Sequence, residues 1–266
     1  MDLQLNSKRA LVTGGSKGIG RAIARQLALE GVDLVIAARN GAELDRAAHE
    51  IREETGRKIL GVTVETQDDS SVKALVAATV AALGGLDILV NAAAKPGGQT
   101  PVPKLAEITD ALFWDDVNVK VMGYLRVARE AAPYMVAGGW GRIINISGLA
   151  ARQSGSIIGS IRNVAVAAMS KNLADELGPR GVNVTVVHPG ATRTERTASL
   201  VATRAAAAGL SVEEAERGLA TDVTIGRIVE AAEVADIVAF LASPRSVAIN
   251  GDAIAAGGGT RGQIYY

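Results

Sequence analysis

The stretch Thr13-Gly14-Gly15-Ser16-Lys17-Gly18-Ile19-Gly20 is where residue types and spacing most clearly imply chemistry. An apolar run, Ala10-Leu11-Val12, precedes it. Arg21 to Glu30 follows, with Ile23, Leu27 and alanines at 22, 24 and 28 in helical spacing. A strand, a glycine turn and a helix in that order suit the pyrophosphate of a dinucleotide. Gly14 permits the tight turn, Gly18 lets backbone approach the pyrophosphate, and Gly20 lets the helix pack close to the sheet. The free N–H groups and dipole at the helix start favour an anion. Ser16, Lys17 and Ile19 belong to the same cofactor-binding stretch.

The next apolar run ends Ala37-Ala38-Arg39-Asn40. A site for NAD(H) usually places an acid here to bind the ribose 2′-hydroxyl. None is present. Arg39, together with Lys17, offers two cations, which suit a 2′-phosphate. The expected cofactor is therefore NADP(H), with NAD(H) the less favoured alternative.

The elements that must carry these residues alternate along the whole chain. Strand-like runs are expected at Ala10 to Val12, Asp33 to Ala37, Ile59 to Val64, Asp87 to Val90, Arg142 to Ile146, Val182 to Val187 and Ala253 to Ala256. Helical patterns lie between them at Arg21 to Glu30, Ala42 to Thr55, Ser71 to Leu83, Phe113 to Val136, Val164 to Leu177 and Glu233 to Leu241. Strands repeatedly separated by helices imply a parallel, doubly wound sheet with right-handed crossovers. The fold class is thus α/β, a three-layer Rossmann arrangement in one domain spanning 1–266. Residues 193–225 interrupt the alternation with an Ala-rich, Arg- and Glu-rich helical stretch. They fall where such folds bind ligands, so they are a candidate substrate lid.

Composition agrees with this and excludes other classes. Of 266 residues, 48% are hydrophobic but only 3% aromatic, so Ala, Val, Ile and Leu must fill the core, as in parallel sheets covered by helices. With 28 basic and 28 acidic residues, no net field favours nucleic acid or an anionic membrane. The chain has no cysteine, so disulfides and thiolate metal sites are out, and no spacing suggests a metal of any kind. No signal peptide or membrane span is evident. A cytoplasmic protein acting on a small molecule is expected. No catalytic triad or Walker motif supports a hydrolase or kinase.

Taken together, the motifs resemble the short-chain dehydrogenase/reductase family over essentially the whole chain. Thr13 to Gly20 is similar to its cofactor turn. Asp87-Ile88-Leu89-Val90-Asn91-Ala92-Ala93-Ala94 is similar to its Asn-Asn-Ala-Gly segment, with two changes. Gly178 to Val184, then His188-Pro189-Gly190 and Thr192, resemble the strand and loop that close over the nicotinamide. Glu233-Val234-Ala235 and the Gly-rich end near Gly257 complete the pattern. The resemblance places Asn91, Ala92, Pro189, Gly190 and Thr192 at the cofactor, and implies a homotetramer or homodimer.

The family's reductases use a Tyr as proton donor, a Lys four residues later, a Ser that polarises the carbonyl and an Asn on the preceding long helix. Spacing from Gly181 puts the Tyr position at Gly159 and the Lys position at Asn163. Gly148 falls at the Ser position, with Ser147 one place early. Lys120 falls at the Asn position; Asn118 would serve only with a two-residue insertion. Lys and Asn are thus exchanged between two helices that approach one cavity. The exchange either keeps an amine in the site or records drift after catalysis was lost.

Lys120, Ser147, His188 and Asn163 are the catalytic candidates. Ser154, Ser156, Ser160 and Arg162 flank the cavity as possible substrate or phosphate contacts. A phenol from Tyr265 or Tyr266 of a neighbouring subunit is a further option. The expected activity is NADP(H)-dependent oxidation or reduction of a small alcohol or carbonyl with a non-standard proton donor. The alternatives are a nucleotide-binding pseudoenzyme, a non-redox lyase or isomerase, and a scaffold subunit.

Overall fold

The computed structural model describes residues 1–95, 102–262 and 264; Tyr265 and Tyr266 lie outside them. Residues 10–12, 34–37, 88–90 and 143–144 are almost fully shielded from water on both sides. A strand sends alternate side chains to opposite faces. Hence Ala10, Val12, Leu34 and Ile36 join one apolar cluster, while Leu11, Val35 and Ala37 join another. Continuous apolar runs of this kind require helices on both faces.

In chain order the first half comprises β1 (Arg9–Thr13), α1 (Gly18–Leu29), β2 (Asp33–Ala38), α2 (Gly41–Thr55), β3 (Ile59–Thr63), α3 (Asp69–Leu83), β4 (Ile88–Asn91), α4 (Asp110–Val117) and α5 (Gly123–Ala137). There follow β5 (Gly141–Ile146), α6 (Ile157–Leu177), β6 (Val182–Pro189), β7 (Thr192–Arg193), α7 (Thr197–Ala208), α8 (Val212–Ala220), β8 (Val229–Glu230), α9 (Ala231–Ala242) and β9 (Ala253–Ala256). Seven strands form one sheet in the order β3-β2-β1-β4-β5-β6-β9, with parallel pairing throughout. The order reverses direction between β1 and β4, and the carboxyl ends there form the crevice where such sheets bind ligands. This is the expected three-layer Rossmann architecture.

Three differences from the sequence reading matter for the site. First, α1 starts at Gly18, not Arg21, so the glycine turn itself supplies the first helical N–H groups. Second, the helix expected from Phe113 to Val136 is interrupted by a widened π turn at Asn118–Met122. Such a turn frees carbonyls that need other donors. Arg126 Nη1 donates to the oxygens of Asn118 and Thr66, at 3.5 and 3.1 Å, and Thr66 Oγ1 to Val119 O at 3.4 Å. Third, α6 begins a full two turns before Val164, at Ile157, where Ser156 caps it by accepting from Gly159 N at 3.1 Å. Ser156, an N-cap residue type, carried that signal.

Residues 193–225 do form helices, α7 and α8, directly after the carboxyl end of β6. They share a small apolar cluster of their own, Val201, Ala205 and Ala215.

Candidate functional site

The glycine turn is built by contact, not by side-chain chemistry. Gly14 and Gly18 adopt φ of +71° and +58°, which glycine accepts without strain. A Cβ on Gly14 would lie 2.7 Å from the backbone of Ala92, and one on Gly20 only 2.2 Å from Gly14 O. Thus Ala92 contributes its main chain to the turn, and Gly20 allows α1 to close on it. Lys17, at the N-cap of α1, provides no side-chain cap. The first N–H groups of the helix are therefore open to an external acceptor. One has found an anion already: Gly18 N donates to Glu195 Oε2 at 2.9 Å. Arg21 Nη1 is 3.7 Å from the other oxygen of Glu195. A carboxylate on this helix start shows that the turn accepts negative charge, so the residues fit a pyrophosphate.

Arg39 is exposed at the end of β2 and forms no ion pair among the described residues. Lys17 instead pairs with Glu43 at 3.1 Å. The acid missing from residues 37–40 is thus supplied three residues later, in the first turn of α2, and is engaged by Lys17. Ser16 and Ile19 are half-buried in the turn. Asn91 is fully buried, and its side chain is used internally. It donates to Asn145 Oδ1 at 2.9 Å and accepts from Thr13 Oγ1 at 3.4 Å. Asn145 continues the chain to Ser170 Oγ at 2.8 Å, which donates to Val166 O. Asn91 therefore aligns strand ends and has no free amide for a cofactor. Pro189 closes β6. At Gly190 a Cβ would come within 2.9 Å of Gly257 Cα, and Thr192 Oγ1 donates to Gly190 O at 3.0 Å. Thr194, not Thr192, is the threonine facing Gly18: its methyl would lie 3.7 Å from a Cβ there.

The second half of the site gathers at the end of β5. Lys120, in the π turn, is 3% exposed. Its Nζ donates to Asn163 Oδ1 at 2.8 Å and to Ser147 O at 2.9 Å. Ser147 Oγ lies 3.2 Å from the same Asn163 oxygen and 3.1 Å from Asn163 O. Three of the four catalytic candidates therefore form one cluster, drawn from three elements. Asn118, the alternative register, has its carbonyl held by Arg126 and does not enter the cluster. An ammonium has three donors; two are placed, and no described residue accepts a third. Burial pushes the Lys120 amine down to about 7, helped by the positive charge of Arg162 and opposed by Asp116.

His188, the fourth candidate, lies on β6 and is 1% exposed. Gly148 N donates to its Nδ1 at 3.4 Å. Burial, then the charges of Arg152 and Lys120, push the imidazole down to about 4. Near pH 7 the ring is therefore neutral, with Nδ1 accepting from Gly148 N. Tyr124 Oη donates to Ile146 O at 3.0 Å. It is completely buried, and burial raises its pKa. Among the flanking candidates, Ser154 is exposed at the start of α6, Ser156 is its cap, and Ser160 donates to Gln153 O at 2.9 Å. Arg162 pairs with Asp116 at 2.6 Å.

Sequence reasoning missed Asn145, Thr194, Glu195 and Asp116. A polar residue inside the apolar run Ile143-Ile144-Asn145-Ile146 was a usable signal, because a buried amide must find partners. The other three are defined only by meetings of distant segments. Among the described residues, no helix is long and apolar enough to cross a membrane, and no group of three or more His, Asp or Glu could hold a metal.

The pattern of the short chain dehydrogenase family matches residues 8–205. The 3-oxoacyl-[acyl-carrier-protein] reductase FabG of Aquifex aeolicus is 33% identical over 97% of this chain and 99% of its own. The L-sorbose reductase of Gluconobacter frateurii, solved with NADPH and L-sorbose, superposes with a TM-score of 0.92 at 30% identity, covering 99% of this chain and 100% of its own. A variant of the actinorhodin polyketide ketoreductase, solved with NADPH, superposes with a TM-score of 0.87 at 35% identity, covering 94% of this chain and 96% of its own.

Proposed function

Since the chain belongs to the short-chain dehydrogenase family, we propose that it is an NADP(H)-dependent oxidoreductase that interconverts a small carbonyl compound and its alcohol, with Lys120 as the proton donor. The observation that carries this reading is the buried Lys120 amine, fixed between Asn163 and Ser147 at the end of β5. In the register implied by the family spacing, Gly159 and Asn163 stand at the Tyr and Lys positions, leaving no phenol on α6.

The residues divide into two tasks. Gly14, Gly18, Gly20 and Ala92 shape the turn for the pyrophosphate, and the open N–H groups of α1 hold its charge. Arg39 is the cation available for a 2′-phosphate. Pro189, Gly190 and Thr194 supply the loop on the other side, and α7 and α8 cover the substrate. The cofactor, when bound, supplies or takes up the hydride. The Lys120 ammonium gives a proton to the carbonyl oxygen as the alkoxide charge develops. Asn163 and Ser147 position that amine. The charges acting on it are Arg162 on α6 and Asp116 on α4, with neutral His188 on β6 and Tyr124 on α5 nearby.

The test is NADPH oxidation over a broad panel of aldehydes and ketones, comparing wild type with Lys120→Met. The expected result is turnover in the wild type and a loss of about a hundredfold or more in the variant, the usual weight of a general acid. NADPH affinity should be unchanged. One observation favours a second reading, a nucleotide-binding protein without redox chemistry: both placed N–H groups of Lys120 point at internal acceptors. NADPH binding with no oxidation on any carbonyl would establish that reading.

A further inference from the structure

The helix that leads into the Lys120 turn has little apolar packing to hold it. α4 is eight residues long and buries none of them. Leu112 is 38% exposed and Trp114 60%. A helix this short is marginal by itself, and most helices are held by an apolar face packed on the core. Polar ties take that role in α4. Gln67 Nε2 donates to Asp115 O at 3.3 Å, and Lys95 pairs with the Asp115 carboxylate. The next residue, Asp116, accepts from Arg162 Nη1 on both carboxylate oxygens, at 2.6 and 2.8 Å. The side chains of this pair are only 10% and 22% exposed, so salt and water screen it less than the pairs on the surface. Its other end is firm: Arg162 stands on α6, a helix of 21 residues packed on β6.

The pair lies where it can set the position of the reacting amine. Asp116 is about one helical turn before Lys120. Arg162 directly precedes Asn163, which accepts from Lys120 Nζ at 2.8 Å. The same two segments are thus joined twice, by Asp116 with Arg162 and by Lys120 with Asn163. The π turn continues α4 without a break, and Arg126 and Thr66 hold its freed carbonyls. A drift of α4 away from α6 would draw Nζ off Asn163 Oδ1 and Ser147 O and let water reach it.

We propose that Asp116 and Arg162 are positioning residues for Lys120, a clamp that holds α4 and the π turn on α6 and so keeps the amine aimed and shielded from water. The catalytic consequence rests on the oxidoreductase reading; the clamp itself belongs to the protein without cofactor or substrate. The charged and titratable groups facing the amine are Arg162 on α6, Asp116 on α4 and His188 on β6, with Tyr124 on α5 beside Arg162.

Lys120 is one of eight lysines, so NMR titration of the full chain with isotope-labelled lysine can follow it, its signal identified by its loss in Lys120→Met. The wild-type amine should titrate at about 7. Asp116→Asn combined with Arg162→Met removes the clamp and strands no charge. The two charges act on the amine in opposite directions, so removing both reads position and hydration more than field. In that double variant the amine should titrate about one unit or more higher, as water returns to it. At about pH 6, where the amine is protonated in both proteins, kcat for carbonyl reduction should fall about tenfold or more while the KM for NADPH holds. Arg162→Lys, which keeps the charge but has no guanidinium to span both oxygens, should move both readouts the same way by less. It carries the test if circular dichroism finds the double variant unfolded. A pair that serves stability alone would lower Tm and leave the titration and kcat in place, and that result would overturn the inference. So would a titration point that falls in the double variant. If the titrations shift as expected but the wild type reduces no carbonyl, the clamp stands and the oxidoreductase reading falls.

Discussion

The crevice has two walls, and they are specified in different ways. The wall made by β1, α1 and β4 is set by what cannot be there: a Cβ at Gly14 or Gly20 would overlap backbone. The wall made by the π turn, β5 and α6 is set by what meets: Lys120, Ser147 and Asn163 come from three separate segments and bond to one another. The first wall tolerates few residue types. The second depends on side chains that must reach one another across three segments. A lysine from the π turn and an asparagine from α6 meet there at 2.8 Å. Binding and catalysis in this fold are therefore separable physical problems.

Breaking the first wall should have the largest effect on binding. Gly20→Val drives a side chain into Gly14 O, an overpacking worth about 2 kcal/mol or more, hence at least about a thirtyfold loss of NADPH affinity. Fluorescence titration measures it, with circular dichroism confirming the fold. An affinity within threefold of wild type would show that the turn is not the cradle. Arg39→Ala probes the mouth of the same wall. It should weaken NADPH by about tenfold, the share of one exposed charge-assisted contact, and leave NADH almost unchanged. Equal losses for both cofactors would remove Arg39 from the 2′-phosphate.

Smaller still is the effect of Glu195→Gln. Glu195 places a carboxylate on Gly18 N, where a pyrophosphate would bring more negative charge. Neutralising it should tighten NADPH by about two- to fivefold, the scale of a charge at a helix start, and the gain should shrink in high salt. Weaker binding would mean that Glu195 supports the closed loop and does not compete for the turn.

The difference between the walls also explains what could be read in advance. The alternation of apolar runs and helices gave the layer order because each strand is buried on both faces. The glycine turn was legible because steric exclusion is written in single positions. The π turn was not, since it depends on Arg126 and Thr66 meeting the freed carbonyls of residues 118 and 119. Lys120 could be proposed as an amine delivered from the other helix, but its two acceptors could not. His188 had the right ordinary pKa for an acid; only its burial shows that it stays neutral. Arg162 read as a flanking residue, and its ion pair with Asp116 on α4 joins two segments that no local pattern connects.

The pH dependence of kcat/KM is the sharpest probe of Lys120. Using the fastest carbonyl found in the panel, NADPH-driven reduction needs the protonated amine. It should be maximal below about pH 7 and fall about tenfold per unit above it, following the amine that burial has lowered to about 7. Oxidation of the corresponding alcohol needs the neutral amine and should rise through the same pH. In Lys120→Arg, which holds its proton throughout, both limbs should vanish. A reduction rate that is flat to pH 9, or a profile unchanged in Lys120→Arg, would contradict the assignment of Lys120 as the proton donor.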